Sequence, residues 1–168
     1  FVDDRGSFME LWNARDYGQH GFNVTFVQDN LSRSREGVLR GLHFQNPRPQ
    51  AKLISVLKGA VYDVVVDVRA ESDTFGEWHG TVLSAENARQ LFVPEGYAHG
   101  FVATSDEVLF HYKCTDFYHP EADQTVRWND PRIGIDWPVE DPVLSDKDAG
   151  APLLDEMPRE ALTFDATR

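Results

Sequence analysis

Two short blocks, Gly37–Gln45 (GVLRGLHFQ) and Pro94–His99 (PEGYAH), each set one histidine inside a β-like run rather than on a helix. A strand presents its side chains alternately to its two faces, so each histidine is either satisfied by neighbours or aimed into a cavity. Arg40 and Gln45 share the first block, and Lys52 follows shortly after. That set could hold a metal ion or move a proton. Zinc asks for three or four His, Cys or carboxylate ligands, of which His43 and His99 are only two, and a lysine ammonium is a poor neighbour for a divalent cation. Proton transfer suits the set better. Histidine titrates near neutrality and is the natural general base, while a cationic or hydrogen-bonding group such as Lys52 can stabilise an enolate oxygen as it develops. An aspartate on the other imidazole nitrogen would hold the tautomer and stabilise the protonated ring. The chemistry is proton abstraction next to a ketone, without a metal. Taken singly, His43 reads more simply as a hydrogen-bonded core histidine and Lys52 as a surface lysine. The clustering of Arg40, His43, Gln45 and Lys52 around two strands reverses that preference.

Parity sorts the other candidates. Strict alternation puts His43 and Gln45 on one face and Arg40 on the other, so one pocket can use both only if the strand is irregular, and Gly41 is the natural place for a bulge. Gln28 and Asn30 share parity, with Asp29 opposite; paired amides facing a lumen suit sugar hydroxyls or a polar nucleotide. Tyr112 is the polar-tipped member of an apolar face with Val108, Phe110 and Cys114. It is a core tyrosine or, where that face lines a lumen, an acid. Cys114 is the only cysteine, which rules out an intramolecular disulfide and a cysteine zinc cage, and its parity predicts a buried structural thiol.

The elements that must position these residues are strands. In Val61–Arg69 the even positions Tyr62, Val64, Val66 and Val68 are apolar and the odd ones include Asp63, Asp67 and Arg69, which predicts one core face and one polar face. Glu107–Thr115 repeats the pattern, and Thr25–Ser32, Val38–Phe44, Leu53–Leu57, Trp78–Ser84 and Arg89–Val93 are further strands. Turn residues such as Asn46-Pro47-Arg48-Pro49, Lys58-Gly59 and Pro94-Glu95-Gly96 separate them. Many short strands with little helix predict an all-β sandwich or jelly roll. Helix is expected only at Ala14–Gln19 and in short turns after Ser145. Beyond Trp137 the Pro- and Asp-rich chain is expected to wrap the barrel as a tail whose last ten residues are loose.

The 168 residues suit one domain, 1–168, without repeats or linkers. A net charge of −12 argues against general nucleic-acid binding. It leaves room for a nucleotide ligand, since two or three Arg or Lys side chains suffice for a diphosphate. No apolar run approaches the ~20 residues of a membrane span and no signal peptide is visible, so a cytoplasmic protein is expected. The abrupt opening at Phe1-Val2-Asp3 reads as a trimmed start.

Leu42-His43-Phe44-Gln45, followed by Lys52 and Gly59, resembles the first motif of the cupin superfamily, and Pro94–His99 resembles the second. Metal-binding cupins usually carry His-x-His and a Glu in the first motif, where this chain has Gln45 and Lys52. The resemblance sharpens along the whole chain. Asp4-Arg5-Gly6-Ser7-Phe8-Met9-Glu10, Val27-Gln28-Asp29-Asn30, Arg40–Gln45, Lys52-Leu53 and Val66-Asp67-Val68-Arg69 come first. Pro94–Phe101, Tyr112–Tyr118 and Leu144-Ser145-Asp146-Lys147-Asp148 follow in order. Together, from Asp3 to about Leu154, they look like the dTDP-4-dehydrorhamnose 3,5-epimerase family, metal-free cupin enzymes of deoxysugar synthesis.

That resemblance implies a cupin-type jelly-roll β-sandwich, no redox or metal cofactor, a dTDP-sugar substrate and residue roles. His43 matches the general base and Asp148 its aspartate partner, with Asp67 a second candidate for that partner. Tyr112 matches the tyrosine acid on the opposite face of the sugar. Tyr118 matches a tyrosine that stacks on the thymine ring, and is the runner-up for the acid. Lys52 matches the group near the C4 oxygen. Arg5, Glu10, Gln28, Asp29, Asn30, Arg40, His99 and Lys147 match substrate-binding positions, the arginines suiting a diphosphate by their planar donor forks. Asp123 falls where the family often has a substrate-binding Glu. The family is typically a homodimer whose N-terminal strands contribute to the neighbour's site, which would place Arg5 and Glu10 in trans. Inversion at both C3 and C5 is the implied reaction, and inversion at one centre alone, as in antibiotic deoxysugar pathways, is the alternative. A non-catalytic nucleotide-sugar binder is disfavoured, because binding alone needs no opposed base and acid.

Overall fold

Alternating apolar residues on short strands can bury only one face each, so the strands must form sheets that stack. The computed structural model of the chain, which describes residues 1–164, shows two such sheets. A small N-terminal hairpin of β1 (Val2–Asp3) and β2 (Gly6–Ser7) precedes helix α1 (Ala14–Gln19). The strands of the sandwich are β3 (Gln28–Arg35), β4 (Leu39–Gln45), β5 (Lys52–Lys58), β6 (Ala60–Asp67), β7 (Trp78–Ser84), β8 (Gln90–Val93), β9 (Tyr97–Ala103), β10 (Glu107–Cys114) and β11 (Asp123–Thr125). One sheet has the order β3-β10-β5-β8 and the other β11-β4-β9-β6-β7, with every pair antiparallel. This is the expected cupin-type jelly roll. Among the described residues no helix is long and apolar enough to cross a membrane.

Helix α1 lies where it was expected, because Asn13 caps it: the Asn13 side chain accepts from the backbone of Arg15 and Asp16 at 3.1 and 3.4 Å. A second one-turn helix, α2 (Asp146–Ala149), is capped by Ser145 in the same way. Strand β9 continues the Pro94–His99 block well past its histidine. Gly100 weakens the strand signal there, yet the residue is needed because the backbone of Gly41 passes against it.

Two clusters fill the structure. Ile54, Val56, Val61, Phe101 and Phe110 meet between the sheets. Leu42, Phe44, Val64 and Val66 meet Leu154, Met157 and Leu162 on the other side of the five-stranded sheet. Strand β6 therefore contributes to both, and the expectation of one core and one polar face is corrected: Asp63 and Asp67 are fully buried. The side of Val64 and Val66 is covered by the tail, and the side of Val61 and Asp63 by packing between the sheets. Leu154 and Leu162 sit in short 3₁₀ turns that cover the outer face, and Asn46 Nδ2 holds the tail by donating to the carbonyls of Ala161 and Thr163 at 2.9 Å. So the tail does wrap the sheet, but the expected loose end is docked through Leu162; residues 165–168 lie outside the described residues.

Asp67 shows how a buried carboxylate is satisfied. Its two oxygens accept from the backbone and guanidinium of Arg69 and from the hydroxyls of Ser72 and Thr74, at 2.6 to 3.0 Å. Burial alone would raise its pKa, but these donors outweigh burial and hold the carboxyl far below the usual range. A depressed carboxylate contributes stability that is present above its unfolded pKa, near 4, and is lost as pH falls toward its folded value. Asp67→Asn is expected to cost about 3 kcal/mol at pH 7. Urea unfolding should show that gap narrowing at pH 3, and an equal gap at both pH values would sink the assignment.

Candidate active site

The open end of the sandwich holds a cavity of two adjoining lobes, about 380 and 280 Å³, both bordered by His43, Lys52, Tyr112 and Lys147. Gln28, Asn30, Gln45, Tyr118 and Asp123 line the first, and Arg40, His99 and Asp148 line the second. Strands of both sheets and α2 supply these side chains. Most of the residues expected in the site are thus brought together from positions spread along the chain.

Gly41 is where the strand breaks register. The pairing of β4 with β9 shifts between Arg40 and His43, and Gly41 has a φ of 134°, which L side chains rarely adopt. A Cβ there would lie 2.5 Å from Gly100 Cα. The shift lets Arg40 and His43 share the second lobe despite their opposite parity. Arg40 is held by Ser34, whose Oγ accepts from Nε at 3.1 Å.

His43 Nε2 lies 2.6 Å from Asp148 Oδ1. Burial pushes the Asp148 carboxyl up, but the His43 ring, the Ser145 hydroxyl (2.8 Å to Oδ2) and Lys147 outweigh it and leave the group lower than an ordinary aspartate. An ionised Asp148 accepts a hydrogen bond from Nε2–H, which leaves Nδ1 as the basic nitrogen. Asp67, the other candidate partner, is committed to Arg69, Ser72 and Thr74 and does not border the cavity. The partner of His43 is Asp148.

Lys52 sits at the junction of the lobes. Burial lowers its ammonium pKa, while Cys114, Asp123 and Asp63 pull it back up. Burial raises the Tyr112 phenol, keeping it protonated at neutral pH. Tyr118 is different: it is 54% exposed at the mouth and donates to Asp123 Oδ2 at 3.1 Å. Gln28 and Asn30 point inward and bond to each other at 3.0 Å. Cys114 is buried beside them, and burial raises its thiol as expected of an inert cysteine.

Three expected site residues lie outside this cavity. Asp29 projects from the opposite face of β3 and takes both its oxygens to Lys113 Nζ, at 2.7 and 2.9 Å, as its parity dictates. Arg5 is exposed and paired with Asp3 in the N-terminal hairpin, and Glu10 accepts from Asn13 at 3.4 Å. Two residues went unread in the sequence. Asp63 is completely buried and accepts from His99 Nε2, 3.0 Å from each oxygen. Ser145 both caps α2 and bonds Asp148, a role legible in the Ser-x-x-Asp spacing. Asp63 had only its position among polar alternates to recommend it.

The donor set does not suit a divalent cation. His43 and His99 are each bound to a carboxylate, and the Gln45 amide donates to the carbonyl of Phe117 and accepts from the backbone of His119. Among the described residues no three His, Cys, Asp or Glu side chains converge as ligands.

Comparison with known proteins extends the reading beyond geometry. The family model of dTDP-4-dehydrorhamnose 3,5-epimerase matches residues 1–156. The dTDP-4-dehydrorhamnose 3,5-epimerase of Methanothermobacter thermautotrophicus is 53% identical over 161 residues, 94% of this chain and 87% of that protein. The crystal structure of the dTDP-6-deoxy-D-glucose-3,5-epimerase of Legionella pneumophila, in complex with dTDP-4-keto-L-rhamnose, matches with a TM-score of 0.94 at 50% identity, over 99% of this chain and 90% of that one. A 3'-monoepimerase of Streptomyces bikiniensis in complex with dTDP-quinovose matches with a TM-score of 0.86 at 36% identity, over 92% and 79% of the two chains. A family match that spans most of the sequence, joined to half-identical relatives of the same fold, makes this chain a member of the dTDP-4-dehydrorhamnose 3,5-epimerase family.

Proposed function

We propose that the protein inverts C3 and C5 of dTDP-4-dehydro-6-deoxy-D-glucose to give dTDP-4-dehydro-L-rhamnose. One observation supports this reading most: an imidazole held by a buried carboxylate and a half-buried, protonated phenol border the same cavity, with a half-buried lysine at its junction. The 4-keto group acidifies the hydrogens on C3 and C5. His43 Nδ1 takes one of them, and the electron pair left on carbon moves into the ketone to form an enolate. Lys52 stabilises the charge that develops on the C4 oxygen. Tyr112 then protonates the carbon from the other face and is left as a phenolate; the ring at His43 returns its proton to solvent and the phenolate takes one back from solvent. A second round at the other carbon completes the inversion. Relatives named for inversion at both centres are 53% and 50% identical to this chain, against 36% for the monoepimerase, which favours both centres here.

The enzyme acts as a single domain and as a homodimer in the cytoplasm, where nucleotide-activated sugars are made. Exposed Phe1, Val2 and Phe8 on the N-terminal arm support the dimer. Such an arm can carry Arg5 and Glu10 to the neighbouring cavity.

The test is incubation with dTDP-4-dehydro-6-deoxyglucose in D2O, followed by NMR. Deuterium is expected at both C3 and C5. Entry at one carbon alone would establish the single-centre alternative, and no entry at either would overturn both. Turnover is also expected to survive exhaustive EDTA treatment, and strict dependence on an added divalent cation would refute the metal-free reading.

A further inference from the structure

At the mouth of the first lobe one carboxylate oxygen serves two partners. Asp123 Oδ2 accepts from the Tyr118 hydroxyl at 3.1 Å and from Lys147 Nζ. Tyr118 and Lys147 are 54% and 46% exposed at their residue and side chain respectively, whereas the Asp123 side chain is 19% exposed and held on a strand. Strand β11 is itself fixed to β4, with Asp123 opposite Gln45 and Thr125 opposite His43. The less exposed, strand-held member of the trio is therefore the carboxylate, and the two more exposed side chains are tied to it. Lys147 also precedes Asp148 in the single turn of α2, so this turn is fastened at adjacent residues, by Lys147 to β11 and by Asp148 to His43 on β4.

We infer that Asp123 is a positioning residue, which acts on a bound sugar nucleotide through Lys147 and Tyr118 rather than by touching it. The inference rests on the proposed function, in which the first lobe takes the nucleotide end of the substrate. A lysine free to rotate and an exposed tyrosine ring each lose side-chain freedom when a ligand fixes them, and holding them beforehand removes that cost from binding. In the proposed function the nucleotide end carries a diphosphate past this carboxylate. As a direct contact it would repel an anion, and as the partner of Lys147 it orients a cation toward one.

The test is calorimetric titration of the full chain with dTDP, for the wild type, Asp123→Asn, Lys147→Met and the double variant. Each single change is expected to weaken binding about tenfold, and the double to be no weaker than the weaker single within about twofold. Losses that multiply to about a hundredfold would show that Asp123 does not act through Lys147 and would overturn the inference, as would native affinity in Asp123→Asn. Failure of the wild type to bind dTDP would overturn the proposed function along with it. Steady-state kinetics separates positioning from damage to the fold. Asp123→Asn, and Asp123→Ser as a second variant, are expected to raise KM about tenfold with kcat changed by less than about threefold. A mere loss of folded protein lowers kcat and leaves KM in place; that pattern in both variants would overturn the inference.

Discussion

Replacing His43 with Asn is expected to abolish entry of solvent deuterium at both C3 and C5 and to lower turnover by at least about 10³-fold. The size of the effect follows from the absence of a substitute. Tyr112 borders the same space, but burial raises its phenol and keeps it protonated at neutral pH, the Arg40 guanidinium offers donors and no acceptor, and Lys52 serves the enolate oxygen in the proposed reaction. The amide of Asn can still donate to Asp148, so the buried carboxylate keeps a partner and the fold is expected to survive. Thermal unfolding within a few degrees of the wild type would confirm that activity, not structure, was removed. Exchange persisting at one carbon alone would reveal a second base. His99 is the residue to suspect, since it faces His43 across the β4–β9 pairing and carries its own buried carboxylate in Asp63.

Tyr112→Phe removes one oxygen and leaves the base untouched, so it is expected to split the reaction. Inverted product should fall about 10²–10³-fold, while protons continue to wash out of the substrate through His43. Position supplies the reason for assigning this tyrosine: Tyr112 borders both lobes together with His43 and Lys52, whereas Tyr118 borders only the first. NMR of residual substrate and of product, taken from the same D2O reaction, measures both rates. Undiminished product would refute the acid role and transfer it to Tyr118, which lies at the mouth of the same lobe. Loss of wash-out in step with product would mean instead that Tyr112 is needed for the substrate to bind or to ionise.

Local chemistry made much of this legible in the chain. Strand β7 and helix α1 fall at their expected bounds because alternation defines the one and an Asn cap the other. The need for an irregularity at Gly41 followed from parity alone, since Arg40 and His43 could not otherwise share a cavity. Asp29 makes the same point from the other side. Resemblance placed it with the substrate-binding residues, but its parity sends it outward to Lys113, and in the single chain parity prevails. What could not be read was set by distant partners. The choice between Asp148 and Asp67 depends on which carboxylate the fold brings to a histidine on another strand. Asp63 looked like a solvent-facing alternate because the packing between the sheets, which buries its side of β6, is not visible in β6 itself.

The pairing of His43 with Asp148 joins residues 105 positions apart, and the second of them belongs to the tail rather than to the sandwich. The nine strands of the sandwich among the described residues, with most of the cavity wall, are complete by Thr125. The imidazole is oriented only after a further stretch of irregular chain has found its place on the outer sheet. The tail therefore supplies both the carboxylate that orients the base and part of the core on the far side of the five-stranded sheet. Loss of residues 145–164 would remove the partner of His43 together with Leu154, Met157 and Leu162 of the core.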